Sequence, residues 1–219
     1  MTNRTAKLVF RSAFVAVGII GILASLGFFG YNYREDFYVY FTNLSNYMCF
    51  GIMLAKFVFT VQGKDVPRTT LFQFLDFAAV LSILLTFYVY NFILAVDYHP
   101  SARFEISSML YHVILPLMYA ADRLVFGKET VSRWYFPLIS ALLPIVYGAF
   151  IFIRAAIPGI EKHTSVIYPY FFLNIKNLGT ENVAKWLSVM LMVFIVAGYG
   201  LLITEHMIKA IARAISDKK

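Results

Sequence analysis

Charged residues and cysteine are both scarce in this sequence. Of its 219 residues, only 14% are Asp, Glu, Lys or Arg, whereas 60% are hydrophobic. Ordinary soluble domains carry about 25% charged and about 45–50% apolar residues. A soluble core has no use for this excess of apolar residues, so the composition predicts a protein that lies in a bilayer. The single cysteine, Cys49, excludes an internal disulfide framework and a cysteine-cluster metal site.

Long hydrophilic segments are also lacking, and six apolar stretches account for most of the chain. Each stretch has 16 to 22 residues without a charged side chain, close to the ~17–25 that a membrane-spanning helix needs. The shortest reaches spanning length only if Asp122 and Arg123 are included. The sequence therefore predicts an all-α fold, with residues 1–219 forming a single domain of six transmembrane helices and no attached soluble enzyme. The stretches are 12–33, 37–55, 77–96, 106–121, 134–153 and 186–204.

Lysine and arginine are unevenly divided between the two sides that alternating spans create. Thirteen lie in the two termini and in the loops after the second and fourth spans, and six lie on the other side. Because basic loops stay in the cytoplasm, both termini are predicted to be cytoplasmic, in a plasma (inner) membrane. The basic excess is expected to contact anionic lipid headgroups. A nucleic-acid surface is not expected, because no basic stripe with stacking aromatics lies outside the spans.

Three polar side chains cluster at the start of the second predicted span. Thr42 and Asn46 are four residues apart and share one helix face, with Ser45 beside them. Polar side chains in a span face the bundle interior, where they form hydrogen bonds between helices or build a site. Both interpretations remain open from this cluster alone.

A histidine and a proline interrupt the fourth predicted span. Thr42 and His112 lie at depths of about 6 and 9 Å from the outer ends of their spans, so the two could meet in one leaflet. Pro116 has no N–H, which leaves the His112 carbonyl without a helical donor and favours a kink. A kink beside a polar residue in a bundle opens room for water or ligand. The alternative is a histidine that serves only in hydrogen bonding or an ion pathway.

The long outer segment 155–185 and the arginine before it are further candidates. The segment contains Tyr168 and Tyr170 on either side of a proline, and it is predicted to be either an aromatic membrane belt or a lid over a site. Arg154, at the outer end of the fifth span, is expected either to clamp a lipid carboxylate or phosphate or to snorkel to the interface.

Three short motifs resemble those of the androgen-induced-protein family. The members of that family are multipass membrane threonine hydrolases, which cleave fatty acid esters of hydroxy fatty acids. Bacterial six-helix relatives share the layout. The resemblance covers most of the chain in layout and is specific in these motifs. It implies that Thr42 is the nucleophile and His112 its general base. The motifs are Phe41-Thr42-Asn43-Leu44-Ser45-Asn46, His112-Val113-Ile114-Leu115-Pro116 and Val166-Ile167-Tyr168-Pro169-Tyr170-Phe171.

The expected chemistry is attack of the Thr42 hydroxyl on a lipid ester while His112 accepts its proton. Candidate donors for the developing oxyanion are Ser45, Asn46 and Asn91. Asp97 is the nearest acidic candidate for a third catalytic group. Two other acids in the predicted cytoplasmic half are expected to form ion pairs with Arg123 or Lys56, namely Asp76 and Asp122.

Three functions are compatible with these residues. The preferred one is a lipid-ester hydrolase that acts on a substrate within the bilayer. An acyltransferase would use the same two residues, with a lipid or alcohol in place of water. A non-catalytic small-molecule-binding or transporter subunit would also suit six short-looped helices with a polar interior. No metal or cofactor is expected, since the sequence has no zinc signature, nucleotide loop or glycine-rich phosphate cradle.

Overall fold

The structure, a computed structural model, describes residues 3–28, 36–94, 106–127 and 130–217. This part of the chain is helical and contains no β-strand. A π-helical segment, Val89–Leu94, continues the helix that ends at Tyr88. A second one, Leu110–Ile114, joins the short helix that ends at Met109 to the helix that begins at Leu115. The helices are α1 (Asn3–Ser25), α2 (Phe41–Val61), α3 (Thr70–Tyr88), α4 (Ile106–Met109), α5 (Leu115–Phe126), α6 (Phe136–Ser140), α7 (Leu142–Ala155) and α8 (Ile175–Ser216).

Several helices have the length and apolarity of membrane spans. Five such spans occur among the described residues, and many of their large apolar side chains are exposed, as at Val146, Ile153, Met192 and Val196. An exposed apolar surface of this kind is what a lipid-facing helix presents. The prediction of a helical membrane bundle is therefore confirmed at this level. The five spans are Arg4–Ser25, Phe41–Val61, Thr70–Leu94, Phe136–Ala155 and Ile175–Ile215.

Two helices begin earlier than the charge-free stretches predict. Helix α3 begins at Thr70 rather than at residue 77, after the side chain of Thr69 accepts a hydrogen bond from the Phe72 N–H. Helix α8 is interrupted at Gly179 (φ 75°, ψ 159°), so a single turn with Asn174 as its N-cap precedes the break, and the long helix that follows still begins before residue 186. A search for charge-free runs does not detect polar helical turns, so it overestimated the length of the outer loop. Residues 156–174 remain to connect α7 with α8.

A network of buried charges lies at the end of the bundle that contains Lys56 and Arg123. We call this end the ionic end. Lys56 Nζ is 2.6 Å from Asp76 and 3.2 Å from Asp122. Arg123 is 2.7 Å from Asp76, and Arg11 is 2.8 Å from Asp122. The predicted pairing of both acids with Lys56 or Arg123 is confirmed. The six members, all buried, are Arg11, Lys56, Asp76, Asp122, Arg123 and Glu205.

An apolar cluster closes the opposite end of the bundle, which contains Thr42 and Tyr170. We call this end the loop end. Its members come from α3, α7 and the segments before α2 and α8: Val39, Val89, Ile151, Phe172 and Leu173. Thr42 lies in the first turn of α2 and Lys56 in the last turns of the same helix. Fourteen residues separate them, about 21 Å along the helix, so the predicted site and the ionic network are well apart.

Candidate functional site

The Thr42 side chain lies at the start of α2, where main-chain N–H groups have no helical acceptor. The cap residue, Tyr40, makes no side-chain capping bond. The phenol oxygen of Tyr170 takes that role, because it accepts a hydrogen bond from the Thr42 N–H at 3.3 Å and lies 3.4 Å from the Thr42 hydroxyl. Removal of the phenol from water raises the pKa of Tyr170, so it remains protonated at neutral pH. The outer loop thus contacts the predicted nucleophile directly.

A cavity of about 260 Å³ opens beside this contact, between α2, α3, α7 and α8. Its wall is mostly apolar, and Thr42, Thr86 and Ser188 are among the few polar residues that line it. Such a wall suits an aliphatic chain with one polar group held at a defined point. Its other side chains are Phe41, Leu85, Val89, Tyr90, Leu94, Pro144, Ile145, Tyr147, Gly148, Ala149, Phe152, Tyr170, Phe172, Leu173, Leu187, Met190 and Leu191.

His112 lies behind this cavity, in the π-helical segment between α4 and α5. Its ring is stacked on the ring of Tyr90, with centroids 3.6 Å apart and an angle of 13° between the planes. Tyr90 lines the cavity, and its hydroxyl is hydrogen-bonded to Ser108. His112 Nδ1 is 2.9 Å from the Ser108 carbonyl oxygen, which can only accept. Nδ1 therefore carries the hydrogen, and in the neutral ring Nε2 is left as the proton acceptor.

Two asparagine side chains satisfy the carbonyls that face Pro116. In an α-helix the residue 116 nitrogen would bond to the His112 carbonyl, and in a π-helix to the Tyr111 carbonyl, but proline has no N–H. Asn91 Nδ2 donates to the His112 carbonyl at 3.2 Å, and Asn46 Nδ2 donates to the Tyr111 carbonyl at 3.1 Å. The helix disruption expected at Pro116 thus takes the form of a π-helical segment with side-chain donors.

The predicted oxyanion donors all have main-chain carbonyls as acceptors in this conformation. Ser45 Oγ donates to the Thr42 carbonyl at 3.0 Å and lies 2.9 Å from the Thr86 hydroxyl. The second hydrogen of Asn46 goes to the Thr42 carbonyl at 2.8 Å, and that of Asn91 to the Phe87 carbonyl at 2.8 Å. Asn46 Oδ1 is buried and has no hydrogen-bond partner among the described residues.

No direct hydrogen bond joins the side chains of Thr42 and His112 in this structure. The Thr42 hydroxyl is next to Tyr170, and the His112 ring is bonded to Ser108. Asn46 connects the two regions, because its amide nitrogen bonds to the carbonyls of both Thr42 and Tyr111. The catalytic dyad therefore remains a prediction, and a direct proton transfer would need the two side chains to approach.

Arg154 is buried at the outer end of α7 and holds the outer loop. Its Nη1 donates to the Val166 carbonyl at 2.8 Å and to the Ile167 carbonyl at 3.2 Å. The guanidinium is buried, so Arg154 does not snorkel to the surface, and the lipid-clamp alternative stays a prediction. The next aromatic residue, Tyr168, packs against the apolar cluster of the loop end. Asp97, the candidate third group, lies outside the described residues.

Sequence reasoning missed two features of this site. The stacking of Tyr90 on His112 and the two π-helical segments have no signal in the spacing of the residues, although π-helical turns occur frequently at functional sites. Tyr170 was predicted to lie either in an aromatic membrane belt or in a lid, and its bond to the Thr42 N–H was not foreseen. In the described part of the chain, no group of three His, Cys, Asp or Glu side chains is arranged to hold a metal ion.

Comparisons with protein-family models, with curated proteins and with solved structures returned no match to this chain. The resemblance to the androgen-induced-protein family therefore depends on the three sequence motifs. The structure is consistent with a helical membrane bundle that has an apolar cavity at its loop end.

Proposed function

We propose that this protein is an intramembrane lipid-ester hydrolase in which Thr42 is the nucleophile and His112 the general base. The observation that carries the proposal is the position of Thr42, which lines an apolar cavity large enough for part of an acyl chain. The substrate class is fatty acid esters of hydroxy fatty acids or similar lipid esters. A lipid enters such a cavity from the bilayer, so no soluble domain is needed.

The first step forms a bond between Thr42 Oγ1 and the ester carbonyl carbon, and the bond from that carbon to the leaving oxygen breaks. His112 Nε2 accepts the proton of the threonine hydroxyl and returns it to the leaving oxygen of the hydroxy-lipid. Water then attacks the acyl-threonine, which releases the fatty acid and restores the hydroxyl. The Tyr170 phenol, 3.4 Å from Thr42 Oγ1, is a suitable donor to the developing oxyanion.

Entry of substrate must bring Thr42 and His112 together, directly or through one water. The arrangement of His112 supports this role, because its Nδ1 is fixed by the Ser108 carbonyl and its Nε2 has no protein partner within the described residues. The Tyr90 ring lies against the imidazole and also lines the cavity. A shift of Tyr90 would expose the histidine to the bound ester.

The proposal includes a topology of six spans with both termini in the cytoplasm of a plasma (inner) membrane. The one span in addition to the five described above is the fourth in chain order, residues 106–126. It is formed by α4, the π-helical segment and α5. The ionic end carries the N-terminal cations and the buried network, so the positive-inside rule directs it to the cytoplasm. The Thr42 cavity then opens in the outer leaflet.

A second candidate function is lipid binding without chemistry, as in a carrier or a transporter subunit. One observation favours it: the Thr42 hydroxyl is paired with Tyr170 rather than with His112. In that case the hydroxyl and the phenol would hold the polar end of a ligand whose chain fills the cavity.

The deciding experiment measures cleavage of a fatty acid ester of a hydroxy fatty acid by the purified protein in detergent. Thr42→Val and His112→Ala should each lower turnover by about 10²–10⁴-fold or more, and the double variant should be no slower than Thr42→Val, because the two residues act as one unit. Thr42→Ser should retain part of the activity. Matched controls are Thr204→Val and His206→Ala, both exposed on α8, and both should be fully active.

The other outcomes identify the alternatives. If Thr42→Val cleaves the ester as fast as the parent, the hydroxyl is structural and the binding function takes its place. If no fatty acid is released but acyl groups move to an added alcohol or lipid, the protein is an acyltransferase with the same two residues in the same roles.

A further inference from the structure

A second cavity, of about 180 Å³, lies at the ionic end between α1, α2 and α5. Five basic and two acidic side chains line it, so its wall has an excess of positive charge. It is separate from the Thr42 cavity, since the two have no lining residue in common. We propose that this cavity binds a phosphate-bearing anion, and specifically the headgroup of an anionic phospholipid.

The floor of this cavity is formed by buried, fully hydrogen-bonded groups. Arg11 Nε donates to Asp122 at 2.8 Å, and Arg11 Nη1 donates to the Thr60 hydroxyl at 2.8 Å and to the Lys56 carbonyl at 3.2 Å. Lys56 is shared between Asp122 and Asp76. These contacts fix the floor and already pair its two cations with acids, so a ligand would be held by the cations of the rim above it.

The rim has more cations than acids, since Arg4, Lys7 and Lys64 line it and Asp65 is the one acid of the lining outside the buried floor. Lys7 and Lys64 both line the cavity, and neither makes a side-chain hydrogen bond or ion pair with the described residues. Arg4 donates to the carbonyls of Thr60 and Val61 at the end of α2, which fixes its guanidinium at the rim. The rim therefore keeps an excess of positive charge, which a phosphate-bearing anion would neutralise.

The spacing of the α1 cations explains why they reach one cavity. Arg4, Lys7 and Arg11 follow each other at intervals of three and four residues, which places them on a single face of the helix. Successive members lie about 4.5 and 6 Å apart along the axis, so the face presents cations from the rim to the floor. Cations that only determine topology do not require such an alignment.

The surroundings favour a lipid headgroup over a soluble phosphate. Phe126 lines the cavity, and its ring packs on Phe10 of α1 with centroids 5.5 Å apart. The neighbouring apolar residues Val9 and Val125 are exposed, as expected of positions that face lipid. A phosphate held by Lys7 and Lys64 would have its acyl chains beside this apolar surface, in the cytoplasmic leaflet where anionic lipids attract basic groups.

The test measures thermal unfolding of the full-length protein in a neutral detergent while dioleoyl phosphatidylglycerol is added. A ligand that binds the folded state raises the unfolding temperature with its concentration. We expect saturable stabilisation of the parent by phosphatidylglycerol and not by dioleoyl phosphatidylcholine. In Lys7→Gln/Lys64→Gln the half-saturating concentration should rise by about 25-fold, from the loss of two lysine–anion interactions. Lys7→Arg/Lys64→Arg keeps the charges and should bind like the parent.

The matched control is Arg68→Gln/Arg133→Gln, which removes two charges from the same side of the protein and outside the cavity. Equal weakening in the control and in the lysine variant would overturn the proposal, because it would show diffuse attraction instead of a site. An unstabilised parent would overturn it as well. Sodium phosphate, compared with sodium chloride at equal ionic strength, distinguishes the sources. If it alone stabilises the parent, and does so through Lys7 and Lys64, the ligand is a soluble phosphate.

Discussion

The side-chain amide of Asn91 donates a hydrogen bond to the main-chain carbonyl of His112 at 3.2 Å. This carbonyl has no helical donor, because residue 116 is a proline. The bond connects the two π-helical segments and fixes the part of the backbone that carries the predicted base. It gives Asn91 a positioning role that the sequence, which suggested an oxyanion donor, did not indicate.

The first prediction concerns this bond. Asn91→Leu leaves the His112 carbonyl unsatisfied and should lower the free energy of unfolding by about 1–3 kcal/mol. In Asn91→Leu/Pro116→Ala the alanine N–H replaces the lost donor, so the double variant should be more stable than the sum of the single effects predicts. Reversible unfolding in mixed micelles gives the free energy of unfolding of the parent, the two single variants and the double variant. Strict additivity of the two effects would contradict the explanation.

The second prediction concerns the ionic network. Lys56→Met removes the cation shared by Asp76 and Asp122, so two buried carboxylates lose part of the positive charge that neutralises them. This should lower the free energy of unfolding by about 3–5 kcal/mol. Lys64→Met is the control, because Lys64 is exposed and should change stability by less than about 0.5 kcal/mol. Thermal unfolding in detergent provides the comparison. A similar melting temperature for both variants would mean that Lys56 is not essential to the network.

The third prediction separates the two tyrosines of the outer loop. Tyr170→Phe removes the oxygen that accepts from the Thr42 N–H, which should cost about 0.5–1.5 kcal/mol. Tyr168→Phe should have little effect, because the Tyr168 hydroxyl makes no hydrogen bond with the described residues. If the hydrolase proposal is correct, Tyr170→Phe should also slow ester cleavage more than Tyr168→Phe. Identical behaviour of the two variants would remove Tyr170 from the site.

The fourth prediction concerns Arg154 and the loop that it holds. Arg154→Gln loses the contacts with the carbonyls of Val166 and Ile167, so hydrogen exchange of the loop amides should become faster. Lys162→Gln, in the exposed turn of the same loop, should leave exchange unchanged. If Arg154 only clamped a lipid anion, Arg154→Gln would weaken lipid binding and would not change hydrogen exchange of the loop. That result would contradict the prediction.

The fifth prediction concerns topology. Cys49 is the only cysteine, so Cys49→Ala provides a background in which a new cysteine can be labelled alone. A membrane-impermeant maleimide should label Lys162→Cys in right-side-out vesicles and Asp217→Cys in inverted vesicles. The opposite pattern would reverse the assigned orientation and move the Thr42 cavity to the cytoplasmic leaflet.

The sequence predicted the ionic pairs of Asp76 and Asp122 correctly but not their extent. Acids within an apolar span must be neutralised, so a pairing with Lys56 or Arg123 follows from the predicted positions of these residues in the same half of the bundle. The participation of Arg11 and Glu205 depends on which helices are neighbours. The residues at the start of α8 were assigned to a loop, because polar helical turns resemble loops in a search for apolar runs.

The sequence by itself determined that this chain forms long apolar helices suited to a membrane bundle, because long runs with few charges are stable as helices in lipid. It also indicated the helix face that carries Thr42 and Asn46. Only the tertiary structure decided the partners within the site: Tyr170 beside Thr42, Tyr90 against His112, and the two asparagines on the carbonyls opposite Pro116. The physical reason is that helical periodicity fixes the face on which a side chain lies. Which group it meets there depends on how the helices pack and on the π-helical turns that alter their register.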